Sequence, residues 1–175
     1  VEKEGTDNMF DSERFLHAQE ANYITALTEL RDGQKRTHWM WYIFPQLKAL
    51  GRSQTAKYFG IEDLIAAESY LAHVLLGPRL VEAASALLFH KSLPIDTIMG
   101  SIDRMKLRST ATLFAAANGD PVFLKLLEHF YERHPCERTL EVLGLDLDNF
   151  GLIRHLDRRA SRCSGFDKFP EEVTG

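Results

Sequence analysis

Apolar positions recur along this chain at steps of three and four residues, a rhythm that predicts helices throughout. In the first segment Phe15, Ala18, Gln19, Tyr23, Ala26, Leu27 and Leu30 form one stripe. Asp11 is the expected N-cap and Asp32-Gly33 the stop, which predicts a helix over residues 12–31. A short helix is expected over 54–59 behind Ser53, and Leu64, Ala67, Leu71 and Val74 mark another. Gly77-Pro78 breaks the chain, with Pro78 suited to a first helical turn. The stripe Leu80, Val81, Ala84, Leu87, Leu88 follows. Pro94 opens a turn ending near Gly100, and Asp103 to Ala117 reads as a helix with Leu107, Thr110, Leu113, Phe114 and Ala117 inward. Asn118-Gly119 stops it. Asp120-Pro121 then starts a helix carrying Val122, Leu126, Leu127 and Phe130, and Arg138 to Leu143 forms a last short one before Gly144. Alternating β-branched runs are lacking. The expectation is an all-α fold, one compact domain of about seven or eight short helices.

One segment departs from the amphipathic pattern. Residues 39 to 44 are apolar on every side, which predicts a buried turn of helix, capped by Thr37 and cut short by Pro45. Beyond Gly144 the chain becomes charge-rich. A helix over 147–160 is expected there, and then a frayed end. Arg154, Arg158, Arg159 and Arg162 fall on or near one face of it. The division expected is therefore a helical domain over 11–144 and an extension over 145–175.

Composition narrows the class. With 175 residues, 45% of them hydrophobic, the chain can bury about 70% of its unfolded surface without a metal or disulfide. The net charge of −4 argues against bulk nucleic-acid binding. The polar, acidic start shows no signal peptide, and no apolar run approaches the length of a membrane span. Cys136 and Cys163 have no metal-binding spacing, and two free thiols fit a reducing cytoplasm. His17, His38, His73, His90, His129, His134 and His155 form no HxxxH pair, so no metal and no cofactor are expected. The glycine-rich phosphate loops and the G-x-S-x-G nucleophile elbow are also missing.

The run Arg36-Thr37-His38-Trp39-Met40-Trp41-Tyr42-Ile43-Phe44-Pro45-Gln46-Leu47 is the most specific sequence in the chain. It resembles the signature of a small bacterial and fungal family of unknown function, whose members often carry the label calpastatin, although nothing in this sequence supports protease inhibition. The segments Tyr70 to Leu80, Asp103 to Ser109 and Arg138 to Gly144 match that family too. Where the family often has His-Pro after Leu71-Ala72, this chain has His73-Val74. The resemblance implies a compact, mainly helical domain and supplies no activity.

Candidate chemistry gathers at two places. His38 lies three and four residues before Trp41 and Tyr42, so one helical turn would align them. A histidine fixed between aromatics is the candidate acid or base. Trp39 and Trp41 face different ways, one into the core and the other either core as well or the wall of a pocket where a flat ligand could stack, with Gln46 in reach of a buried indole N–H. Asp103, Lys106 and Arg108 form a second, mixed-charge cluster able to hold a phosphate or carboxylate. Asp103 is also a candidate to orient His38. Two functions follow. The first is a protein, or an enzyme, that binds a small anionic, nucleotide-like metabolite. The other is a non-catalytic interaction domain whose aromatic segment is core and whose arginine-bearing extension, or an exposed apolar patch, docks a partner.

Overall fold

The computed structural model describes residues 10–117, 119–148 and 150. These residues form eight α-helices and one 3₁₀ turn, and contain no strand. The helices are α1 (Glu13–Arg31), α2 (Met40–Ile43), α3 (Gln54–Tyr58), α4 (Leu64–Ala72), α5 (Leu76–Leu88), α6 (Ile95–Ala116), α7 (Val122–Phe130) and α8 (Glu137–Leu143). The expected all-α architecture is the one observed.

Helix α5 is central and packs against α1, α4 and α7, while α6 packs against α4, α7 and α8. The stripe of α1 is buried as its spacing requires, with Phe15, Gln19, Tyr23, Ala26, Leu27 and Leu30 inward and Ala18 half-buried. The inward set of the second half of α6, Leu107, Thr110, Leu113, Phe114 and Ala117, is buried in full. Polar side chains tie α1 to α5. Tyr23 donates to Glu82 at 2.5 Å, and Arg79 donates to Gln19 at 3.3 Å. Gln19, itself buried, donates to the Tyr42 carbonyl at 2.8 Å and to the Tyr70 hydroxyl at 3.2 Å. Burial, and then the Glu82 hydrogen bond, push the Tyr23 hydroxyl well above its usual pKa. A short parallel bridge, Leu47 to Ile61, closes the loop after α2.

Several local expectations shift. Ser12, not Asp11, stands at the cap position of α1, and Asp11 accepts from Glu13 N at 3.1 Å. Pro78 is the third residue of α5 rather than the first, because the helix already begins at Leu76. Val74 lies past the end of α4 and is 82% exposed. Pro121 takes the cap position of α7, while Asp120, one residue ahead, still makes a capping hydrogen bond by accepting from Val122 N at 2.8 Å. Ser53 caps α3 as its sequence predicts, accepting from Ala56 N at 3.1 Å. The turn expected over 94–100 is helical: α6 runs from Ile95, and only Gly100 leaves helical geometry, at φ 79° and ψ 163°. The expected helix over 147–160 begins within the described residues, where Phe150 N donates to Asp146 O at 3.0 Å. Its remainder, with the arginine cluster, lies outside them.

Among the described residues no single helix is long and apolar enough to cross a membrane.

Candidate functional site

The aromatic segment is folded by a residue ten positions before it. Glu29, on the last turns of α1, is 4% exposed. It accepts from Arg36 N (2.7 Å), Thr37 N (3.1 Å), Thr37 Oγ1 (2.8 Å) and Trp39 Nε1 (2.8 Å). Burial alone would raise its pKa, but these donors outweigh it and hold the carboxyl down at about 2. The sequence-based partner for a buried indole, Gln46, is therefore corrected to Glu29. Thr37, expected to cap the aromatic helix, is spent on the same carboxylate. The helix is also shorter than its apolar run, because Trp39 takes the cap position of α2 and Phe44 already departs from helical geometry.

This clamp decides which tryptophan is core. Trp39 is 1% exposed and packs on Phe44, while Trp41 is half-buried at the surface. The three-residue alignment of His38, Trp41 and Tyr42 is only partly kept. His38 and Trp41 line one cavity, whereas the Tyr42 ring turns to Phe59 at 5.3 Å.

That cavity has a volume of about 370 Å³ and lies between the 35–41 segment and the break in α6. Lys35, His38, Trp41, Asp103 and Lys106 supply its polar and aromatic lining, and Met40, Met99 and Ile102 its apolar lining. The break is what opens it. Lys35 N donates to Ile98 O at 2.7 Å, docking the segment on the first arm of α6. Gly100 then turns the chain, so the second arm starts at the cavity with the positive end of its dipole.

Three charges are aligned across the site. Asp103 pairs with Lys35 Nζ at 3.0 Å and with Lys106 Nζ at 2.8 Å, one carboxylate oxygen for each. Lys35 Nζ lies 4.9 Å from the Trp39 ring centroid and Lys106 Nζ 5.0 Å from that of Trp41. The order Trp39, Lys35, Asp103, Lys106, Trp41 thus runs from the core to the surface. Burial opposes ionisation of Asp103, but the two lysines overcome it and keep its carboxyl below the ordinary value. Asp103 is engaged by lysines and not by His38, whose ring is exposed and has no hydrogen-bond partner among the described residues.

The structure therefore gathers Asp103, Lys106, His38 and Trp41, adds Lys35, and separates the others. Arg108 stands apart, donating to the carbonyls of His134 (2.9 Å) and Pro135 (2.8 Å). Two residues past Lys106 on a helix is a rotation of about 200°, so the two cations could not share a face. Gln46 lies in the bridged segment, where its carbonyl accepts from Ile61 N at 2.9 Å. Lys35 stands just ahead of the aromatic run and carries no signal of its own in the sequence, because its partner is 68 residues away, at Asp103.

The sequence over most of this helical domain places the chain in a family. It belongs to the one described as "Protein of unknown function (DUF1810)", whose model matches residues 9–143. Among solved structures it is similar to the conserved hypothetical protein Rv1873 from Mycobacterium tuberculosis, at 42% identity and a TM-score of 0.76. The match covers 78% of this chain and 99% of that one. No curated protein is similar to it. Neither the family nor the neighbour supplies a specific activity.

Proposed function

We propose that the protein binds a small anionic metabolite with a flat ring system, nucleotide-like in character, in the cavity between Trp41 and the break in α6. The observation that carries this reading is the ladder of two lysines and one aspartate ending on a half-buried tryptophan at an open cavity. A purely structural ion pair needs neither an adjoining cavity nor a second cation. The lysines outnumber the aspartate, so the site carries net positive charge, reinforced by the start of the second α6 arm. Met40, Met99 and Ile102 give the ligand's apolar part a wall, and the volume falls within the about 300–1,000 Å³ usual for small-molecule sites. His38, at the rim with its ring free, is the group able to exchange a proton with what binds.

The test is a thermal-shift screen of the full chain against nucleotides, dinucleotides, ADP-ribose and other metabolic anions. A ligand at a hundredfold excess over its Kd stabilises by about 2.7 kcal/mol, and Lys106→Gln and His38→Ala should weaken that shift while leaving the unliganded Tm close to wild type. A shift that survives both substitutions unchanged would place the ligand elsewhere.

A further inference from the structure

The two lysines of the ladder are not equivalent. Lys35 is 9% exposed in its side chain and its ammonium is fully engaged: it meets Asp103 at 3.0 Å, donates to the Thr37 carbonyl at 2.6 Å and faces the Trp39 ring at 4.9 Å. An ammonium has three donors, so nothing remains for a ligand. Lys106 is 25% exposed, meets Asp103 at 2.8 Å and faces Trp41, and has no other hydrogen-bond partner among the described residues. Of its three donors, at least one therefore has no acceptor among the described residues.

We infer that the site takes a single oxyanion, a terminal phosphate or a carboxylate, at Lys106, and that Asp103 is the internal anion with which it competes. This rests on the binding reading above and sharpens it. One available ammonium, with an exposed histidine beside it, suits one oxyanion group and not a chain of phosphates. Asp103 has a double role: through Lys35 it is anchored to the core, and through Lys106 it covers the cation that an incoming ligand needs. Lys35 is then a positioning residue, holding Asp103 in register with the cavity without touching the ligand.

The experiment uses the full chain labelled with ¹⁵N at tryptophan. Its two indole signals are assigned with Trp41→Phe, and inorganic phosphate and acetate are titrated separately. In wild type, phosphate should move the Trp41 indole signal with weak affinity. In Asp103→Asn, which keeps the shape and removes the charge, the affinity should rise at least about tenfold, the direction expected when a like charge leaves an anion site. Lys106→Gln should abolish the response in both backgrounds. Asp103→Asn leaves Lys35 unpaired and buried. The double variant Lys35→Met/Asp103→Asn removes both charges and serves if the single variant does not fold. A response to phosphate alone assigns a phosphate group, and a response to both probes assigns an oxyanion of either kind. An affinity in Asp103→Asn equal to or below wild type overturns the competition while leaving the binding reading standing. Silence in wild type, Asp103→Asn and the double variant alike overturns both.

Discussion

Glu29 is the acceptor around which residues 36–39 are wound, and its ionisation is part of the fold. Its carboxyl is held at about 2, against 4.5 for a free glutamate. A carboxyl whose folded pKa is depressed stabilises the fold above its unfolded pKa. That contribution, up to about 3 kcal/mol, is lost as the pH falls from 4.5 towards 2. Urea denaturation followed across that range should show wild type losing stability steeply. Glu29→Gln should start about 2–3 kcal/mol lower near neutrality, because an amide offers one acceptor oxygen where four donors converge, and should show a flatter acid limb. Equal slopes would assign the acid sensitivity to another carboxylate. The same clamp separates the two tryptophans. Trp39→Ala should cost about 3–5 kcal/mol, whereas Trp41→Ala, at a half-exposed position, should cost less than about 2 kcal/mol and act on ligand binding instead. Their spacing in sequence predicts that they face different ways and that one is core, and leaves open whether the other is core too or the wall of a pocket. Which is which was not legible, because the deciding acceptor sits on another helix, outside its apolar stripe, where a glutamate reads as solvated.

The break in α6 decides the shape of the site at the scale of the element. Gly100, at φ 79° and ψ 163°, occupies backbone space that is essentially glycine's alone. A Cβ there would meet nothing within 4 Å, so the cost of substitution is conformational and not steric. Gly100→Ala should therefore destabilise by about 1–3 kcal/mol, read as a lower urea midpoint, and should weaken any ligand bound at Lys106 by shifting Asp103 against Lys35. A variant as stable as wild type would mean that α6 straightens without loss. The sequence reading placed a break at this glycine but expected a turn before it and a helix only from Asp103. The reason is physical: a glycine signals that the helix stops, and carries no signal of whether helix resumes at once. Long amphipathic elements such as α1, whose stripe repeats over five turns, were legible almost to the residue. The short ones were not, since α2 owes its length to Glu29 and Pro45 rather than to its own periodicity.

For the molecule as a whole, the question is where the cooperative unit ends. The charge-rich composition after Gly144 suggested a domain closing there, and Gly144 does end α8 in the left-handed conformation, φ 66°. The core continues past it. Leu145 packs against the buried cluster, and Phe150 is 1% exposed within it, seven residues beyond the end of the family match. A buried aromatic removed from a core costs about 3–5 kcal/mol, a large part of the about 5–15 kcal/mol that holds a domain of ordinary stability. Phe150→Ala should accordingly lower the unfolding free energy by about 3–5 kcal/mol, read as a lower urea midpoint with an unchanged m-value, and truncation after Gly144 should cost at least as much. A partner search that compared the full chain with that truncation would then confuse unfolding with the loss of a docking segment. The informative comparison cuts after Phe150, and a partner lost from that shorter deletion, with the urea midpoint preserved, would belong to the extension itself. If Phe150→Ala costs less than about 1 kcal/mol, the packing of this turn contributes little, the domain closes at Gly144 as its composition suggested, and either truncation serves.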